Sequence, residues 1–215
     1  IVDNDGSLNG YGGQGSLYLE VKSRKARWQQ TNQPGFAQQK RVYQDNENPF
    51  ITGTARYAQT EKKKDKAFVE WVPDIPETGE YAVYVSYQTL PNSVSDAKYL
   101  VFHNGGVTEF KVNQQIGGGT WVYLGTFAFD KGKNDYGMVV LSNESKEKGV
   151  VCADAVRFGG GMGNIARGGE TSGLPRYLEG SRYFAQWAGM PYPVYSGREG
   201  KDDMSDDINS RSKMI

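Results

Sequence analysis

The chain has 215 residues and a formal net charge of zero, with 25 Lys and Arg against 25 Asp and Glu. This balance excludes the one-sided basic field by which domains recognise nucleic acids, so we expect no nucleic-acid partner. A single Cys and a single His exclude an intrachain disulfide and a zinc site built on two or three histidines. No run of about 18 apolar residues occurs, and we therefore expect no membrane-spanning helix.

The first 158 residues have a β-type pattern. Residues 1–66 are rich in Gln, Asn and Gly, and we predict one or two strands and long loops there. The basic stretch EKKKDK, residues 61–66, is interrupted by an acid and predicts a solvated loop. From residue 67 onward, short apolar runs alternate with turn residues, and Asn104-Gly105 is a strong hairpin signal. The runs predict strands at 67–72, 80–87, 97–103, 107–114, 120–129, 138–143 and 150–158.

The pattern changes after Phe158. Residues 174–191 have helical spacing and stop at a Gly–Pro stretch, and residues 205–215 begin a second helix with Ser and Asp at its start. We therefore predict an all-β fold, an antiparallel jelly-roll-like β-sandwich over 1–158. Residues 159–215 are predicted to be a linker and a short helical fragment of a host domain, in a chain that is a piece of a longer protein.

A glycine-rich stretch, VRFGGGMGNIARGG, follows the last predicted strand. Gly161, Gly163 and Ala166 match G-x-G-x-x-A, one form of the dinucleotide-binding fingerprint. That fingerprint needs a helix that begins at the glycines inside a βαβ unit. Here the preceding strand closes an antiparallel series, and IARGGETSGLP breaks any helix within a few residues. We therefore interpret the glycines as a tight exit from the last strand.

Four stretches together carry a resemblance to a known module: VDNDG (2–6), EWVPDIPETGEYAVYVSY (70–87), the long run from DAKYLVFHNGG through NQQIGGGTWVYLGTFAF (96–129), and VVCADAVRF (150–158). They resemble the golvesin and xanthan-lyase carbohydrate-binding-like domain of extracellular bacterial proteins that act on polysaccharides or cell walls. The resemblance implies a jelly-roll sandwich, a sugar-related role and a secreted, periplasmic or cell-surface location.

The remaining residues extend this resemblance. The longer form is similar to large secreted Bacteroidetes proteins labelled xanthan lyases. The YLEG stretch (177–180) and the DINSR stretch (207–211) resemble pieces of zinc-dependent N-acetylmuramoyl-L-alanine amidases. On that analogy Glu179 would be a zinc ligand, but the histidine ligands of the pattern are absent, so zinc would bind only in a longer parent chain.

Candidate ligand-binding residues lie on two predicted strands and a turn. Trp121 and Tyr123 alternate with Val122 and Leu124, so the two rings share one face; if that face is exposed, they would stack on sugar rings. The alternative is that Trp121 belongs to the core. The amides near the glycine turn would hydrogen-bond sugar hydroxyls or loop backbone. The full set is Trp121, Tyr123, Asn113, Gln115 and Tyr99.

Asp154 is the candidate metal-binding residue of the sandwich. Strand alternation places it on the inward face, where a carboxylate must be paired, hydrogen-bonded or bound to metal. A structural Ca²⁺ completed by Asp3 or Asp5 is one interpretation, and a hydrogen-bonded structural Asp is the other. We predict no catalytic residue: no G-x-S-x-G nucleophile elbow occurs, and solvation and helix capping account for the acidic cluster at residues 202–207.

Three hypotheses for function remain open. In the first, the chain is a non-catalytic carbohydrate-binding-like accessory module that holds a parent enzyme near polysaccharide or peptidoglycan. In the second, it is a structural module that shapes a zinc amidase or lyase domain and binds no sugar. In the third, it is an adhesion or protein-interaction sandwich. The first gains if Trp121, Tyr123 and the Asn113–Gln115 loop lie on one exposed face, and the second gains if they are buried or face the 174–190 helix.

Overall fold

The computed structural model describes residues 1–6, 16–38, 42–44, 47–62, 66–159, 164–167, 169–174, 176–198 and 201–215. These residues form four β-sheets and a group of short helices toward the C-terminal end. The prediction of an all-β sandwich with a short C-terminal helical segment is therefore confirmed. In the part of the chain that is described, no helix is long and apolar enough to cross a membrane.

The two larger sheets face each other and make the sandwich, and all their neighbouring strands are antiparallel. The four-stranded sheet has the order β1 (Val2–Asp3), β13 (Ala155–Phe158), β7 (Gly79–Val85) and β10 (Val122–Phe129). The five-stranded sheet has the order β2 (Leu17–Val21), β6 (Phe68–Val72), β11 (Met138–Ser142), β8 (Ala97–His103) and β9 (Gly106–Val112).

Two further sheets have three strands each. One has the order β12 (Val150–Ala153), β5 (Gly53–Gln59) and β3 (Gln29–Gly35), and the other has β15 (Glu170–Thr171), β14 (Asn164–Arg167) and β4 (Val42–Gln44). The described part of residues 1–66 thus contains five strands, β1 to β5, where one or two were predicted. The prediction was too low because strands such as β3, QQTNQPG, carry no apolar alternation.

Strand β14 bears on the glycine-rich stretch. Residues 160–163 lie outside the described residues, but residues 164–167, including Ala166, form a strand that pairs in parallel with β4. A dinucleotide-binding loop would be followed by a helix at this position. The interpretation of the glycines as an exit from β13 is consistent with the observed strand.

The core lies between the inner faces of the two large sheets. Val83, Val85 and Val156 project from the four-stranded sheet, while Trp71 and Leu141 project from the five-stranded sheet into the same cluster. All five side chains are fully buried, and burial of one such side chain contributes about 1.5–3 kcal/mol. The alternation read from the sequence of β7 is therefore correct, because its odd-numbered valines point inward.

The helical segment consists of short pieces. A 3₁₀ turn at Arg176–Leu178 precedes α1 (Ser181–Trp187), α2 (Tyr192–Tyr195) and α3 (Asp203–Lys213); another 3₁₀ turn lies at Pro49–Ile51. The helix predicted over 174–191 is shorter because Gly180 and Gly189 have φ values of +150° and +81° and bound it. Helix α3 begins where the acidic stretch predicted, with the Asp202 carboxylate accepting a hydrogen bond from Ser205 N.

The sequence predicted that solvation and helix capping account for the acidic cluster at residues 202–207, but part of this cluster is buried. Asp203 is buried, and its Oδ1 lies 2.6 Å from Nη1 of Arg182 on α1. The Tyr183 hydroxyl donates to the same oxygen at 2.6 Å. These buried polar contacts join α1 to α3, and a charged group in such a site is stabilised only when it is paired in this way.

Asp154 lies where β12 passes from one sheet into β13 of another. Its carboxylate accepts hydrogen bonds from Phe36 N at 3.0 and 3.1 Å and from Ser86 Oγ at 2.8 Å. Its carbonyl oxygen accepts from Trp71 Nε1 at 3.1 Å. The residue therefore joins the end of β3, the end of β7 and the strand β6 at a single buried point.

Burial also changes the protonation of this residue. It raises the pKa of Asp154 from 3.8 to about 7, against the opposing effect of the hydrogen bonds from Phe36 and Ser86. Burial and the nearby Asp154 charge likewise raise the pKa of Asp3. Because the folded state holds these protons more tightly than the unfolded state does, the free energy of unfolding falls as pH rises from about 4 to about 7.

We predict that Asp154→Asn removes this residue's part of the pH dependence. Between about pH 4 and about pH 8, wild type should lose stability relative to the variant, by at most about 1.4 kcal/mol per pH unit. Urea denaturation at the two pH values measures the difference, with the exposed Asp135→Asn as the matched control. A wild type that gains stability relative to Asp154→Asn as pH rises would contradict the assignment.

Candidate functional site

A second group of buried aromatic residues covers the outer face of the four-stranded sheet. Tyr84 on β7 is directly paired with Arg157 on β13 and with Tyr123 on β10. The cluster beside them consists of Phe36, Phe50, Tyr84, Trp121 and Ala155, with Trp187 of α1 packed against it. We call the contact between this outer face and residues 181–198 the seam.

Trp121 is fully buried in the seam. Its ring lies 4.9 Å from the Phe36 ring and 5.5 Å from the Phe50 ring, measured between centroids. The predicted alternation is correct, since Val122 and Leu124 pack against the inner core. The outer face is nevertheless covered, so the Trp121 ring is not open to a sugar from solution. Its assignment as a ligand-binding residue is corrected on this ground.

Two other candidate rings differ in exposure. Tyr99 is fully buried on the inner face, where it stacks on Trp71 with centroids 6.4 Å apart, so its assignment as a ligand-binding residue is corrected as well. Tyr123 is 48% exposed at the edge of the seam. Its ring lies 5.1 Å from that of Tyr84, and its hydroxyl is 2.8 Å from Thr126 Oγ1. Tyr123 thus keeps a face available for a ligand.

Arg157 lies at the centre of the seam. Its guanidinium carbon is 3.8 Å from the centroid of the Tyr84 ring, 5.2 Å from that of Trp121 and 5.5 Å from that of Trp187. Its Nη2 donates to the Trp187 carbonyl at 2.6 Å, whereas Nε and Nη1 have no hydrogen-bond partner among the described residues. Burial lowers the pKa of Arg157 to about 9, which leaves the group charged at neutral pH.

The surrounding rings explain how this charge is tolerated. A guanidinium over an aromatic face gains about 0.5–2 kcal/mol, and Arg157 has three such faces around it. The sequence did not single out Arg157, because a charged residue between Val156 and Phe158 reads as the solvent-facing position of a strand. The importance of Arg157 shows only in the helix that covers it, and strand periodicity gives no information about that helix.

The backbone of the C-terminal segment lies directly against the start of β10. A Cβ atom at Gly189 would be 2.0 Å from the Trp121 carbonyl oxygen. Thr120 Oγ1 donates to the Met190 carbonyl at 2.8 Å, and the Tyr195 hydroxyl donates to the Gly119 carbonyl at 2.9 Å. The Trp121 backbone therefore contacts the helical segment, and its ring is buried, which is an outcome that favours the structural-module hypothesis.

The turn after β9 contains the candidate amides. Asn113 and Gln115 are exposed, and the Asn113 side chain accepts a hydrogen bond from Gln115 N at 3.0 Å, which closes the turn locally. Gln114 between them is fully buried. Its Nε2 donates to the Tyr99 hydroxyl at 3.0 Å and to the Cys152 carbonyl at 2.8 Å, while its Oε1 accepts from Cys152 N at 2.8 Å.

The two candidate metal ligands have other partners. The Asp154 carboxylate is occupied by the Phe36 and Ser86 donors, which matches the hydrogen-bonded alternative. Glu179 accepts a hydrogen bond from Ser172 Oγ. Across the described ranges, no three His, Cys, Asp or Glu side chains come together in a way that would hold a metal ion.

We predict that Gln114→Met lowers the free energy of unfolding by about 2 kcal/mol or more, because it leaves the Cys152 N–H and C=O buried without partners. The neighbouring Gln115→Met changes an exposed side chain and should stay within about 0.5 kcal/mol of wild type. Denaturant titration of both variants gives the comparison. Equal stability of the two variants would show that the Gln114 amide does not hold the turn to β12.

Comparison with known proteins shows which family the chain belongs to. The Golvesin C-terminal domain matches residues 29–160, which is more than half of the chain. A xanthan lyase from Bacillus sp. (strain GL1) is 33% identical over 114 residues, covering 50% of this chain and 12% of the relative. The solved structure of Paenibacillus xanthan lyase matches with a TM-score of 0.46 and 24% identity, over 68% of this chain and 13% of that chain. The chain thus spans a small part of the length of these relatives, and it belongs to the Golvesin C-terminal domain family.

Proposed function

We propose that this chain is a non-catalytic accessory module of a polysaccharide-acting enzyme. Its β-sandwich supports the helical segment at residues 181–213, and through that segment it supports the adjoining part of the parent enzyme. Membership of the Golvesin C-terminal domain family and the similarity to a xanthan lyase support the enzyme class. The parent's chemistry, as a lyase or a zinc-dependent amidase, its secretion, periplasmic or cell-surface location and its origin in Bacteroidetes remain predictions.

The seam is the observation that carries this proposal. A sugar-binding sheet presents its aromatic residues to solvent, whereas here Trp121 is buried against Phe36 and Phe50, and Arg157 is covered by Trp187 of the helical segment. Trp and Arg are the residues that dominate well-packed protein interfaces, since both combine a large contact area with a polar group. The outer face of the four-stranded sheet therefore has the chemistry of a permanent interface within one chain.

Glycan binding at the outer face is the second candidate. The half-exposed Tyr123 ring supports it, and the exposed amides of Asn113 and Gln115 are the other candidates that remain available. A polysaccharide or peptidoglycan strand would be held there by one ring instead of two, because Trp121 is buried. We rank this below the supporting role for that reason. No contact of the described residues specifically favours the third hypothesis, an adhesion module.

Gly189→Ala tests the supporting role. Its methyl group would meet the Trp121 carbonyl, and its φ of +81° also disfavours alanine. Gly173→Ala is the matched control, because Gly173 has a similar φ of +74° but nothing within 4 Å of the added Cβ. We expect Gly189→Ala to make residues 181–198 sensitive to limited proteolysis while the sandwich strands stay protected. The control should be cleaved like wild type.

The readout separates the seam from general instability. Mass spectrometry of the fragments locates the first cleavage, and near-ultraviolet circular dichroism reports whether the aromatic core is retained. If residues 181–198 resist proteolysis equally in wild type, Gly189→Ala and Gly173→Ala, the proposal is contradicted. Cleavage that begins within the sandwich would contradict it as well.

A further inference from the structure

A charged cleft of about 450 Å³ lies at one end of the five-stranded sheet, away from the seam. This volume is in the range of about 300–1,000 Å³ that is typical of small-ligand sites. Its walls come from β8, β9, the loop after β11 and the segment after β5. The lining residues are Lys62, Asp96, Lys98, Glu109, Lys111, Glu144, Ser145 and Lys146.

The carboxylates of the cleft already have partners. Glu144 pairs with Lys66, and its Oε2 lies 3.7 Å from Lys98 Nζ. Glu109 lies 2.8 Å from the same Lys98 ammonium. Asp96 accepts hydrogen bonds from the Ser145 hydroxyl and from Lys146 N, the latter at 3.0 Å. The acidic side chains are thus neutralised by lysines or held by neutral donors within the cleft.

Three lysines of the cleft have no such partner. Among the described residues, no carboxylate lies within ion-pair distance of the ammonium groups of Lys62, Lys111 and Lys146. Lys111 is also directly opposite Lys98 in the β8–β9 register, and like charges in that position destabilise a sheet. Lys98 is already paired with Glu109 and Glu144, so the ammonium group of Lys111 is the unpaired member of the two. The cleft therefore has an excess of positive charge, although the whole chain is neutral.

We propose that this cleft binds a carboxylate-bearing sugar of an acidic polysaccharide. The unpaired ammonium groups would pair with the sugar carboxylates, and the interleaved Asp96, Glu109 and Glu144 would accept hydrogen bonds from sugar hydroxyls. A ligand with both groups matches this alternation of lysines and carboxylates. This inference rests on the proposed role in a polysaccharide-acting enzyme, but it assigns binding to a different surface from the seam.

The same pattern disfavours nucleic acid. A phosphodiester chain binds best to a continuous basic surface, whereas here three carboxylates lie among the lysines. A sugar acid offers hydroxyl donors to these carboxylates as well as a carboxylate to the ammonium groups, and a DNA backbone offers no such hydroxyl donors.

Affinity electrophoresis of the 215-residue chain tests the proposal, with polygalacturonate as the acidic probe and its fully methyl-esterified form as the uncharged match. We expect polygalacturonate to retard wild type. In the triple variant Lys62→Gln, Lys111→Gln and Lys146→Gln, affinity should fall by about tenfold or more, and added salt should weaken wild-type binding. The control variant Lys22→Gln, Lys131→Gln and Lys133→Gln removes three exposed lysines outside the cleft and should bind like wild type.

Several results would overturn the proposal: no retardation of wild type, equal weakening in the control variant, equal binding of the esterified probe, or tighter binding of single-stranded DNA than of polygalacturonate. Far-ultraviolet circular dichroism establishes that both triple variants are folded. Because Gly189→Ala changes the seam and leaves the cleft residues intact, loss of binding in the lysine variant and loosening of residues 181–198 are independent outcomes.

Discussion

The buried carboxylate of Asp154 is the constraint on which the rest of the architecture depends. By accepting hydrogen bonds from Phe36 N and Ser86 Oγ, it fixes the place where β12 leaves one sheet and β13 enters another. That crossing sets the alternation of β13, so that Val156 points into the sandwich and Arg157 points out of it. One face of β13 therefore packs in the inner core, and its opposite face packs in the seam.

The seam turns a sheet surface into an internal interface. Rings from β7, from α1 and from Trp121, the residue that precedes β10, surround one guanidinium, and its hydrogen bond to the Trp187 carbonyl links the sandwich to the first helix. The buried Arg182–Asp203 pair extends the connection to α3. This arrangement uses the face on which a sugar would otherwise stack, while the charged cleft at the end of the other sheet remains open.

The sequence predicted most of the sandwich and little of the seam. Alternation in EYAVYVSY and in residues 121–124 placed the inner residues correctly, because strand periodicity reports on which side a residue lies. A register shift in β10 after Tyr123 brings Phe127 and Phe129 to the inner core, which simple alternation does not predict. Strand periodicity also does not report what covers the other side, so Trp121 was a candidate for sugar stacking and Arg157 was not singled out. The strands of residues 1–66 were missed because they are polar, and Lys62 was assigned to a solvated loop because its cleft forms only when distant strands pair.

Amide hydrogen exchange of the unmodified chain, measured by mass spectrometry, tests the central claim most directly. If the sandwich supports the helical segment through a permanent interface, amides of residues 181–187 should be protected far beyond what an isolated seven-residue helix shows, since such a short helix is unstable in water. Protection that approaches that of β7 and β10 is the result the account predicts. Exchange of residues 181–187 at the rate of an unfolded peptide, while β7 and β10 stay protected, would contradict it.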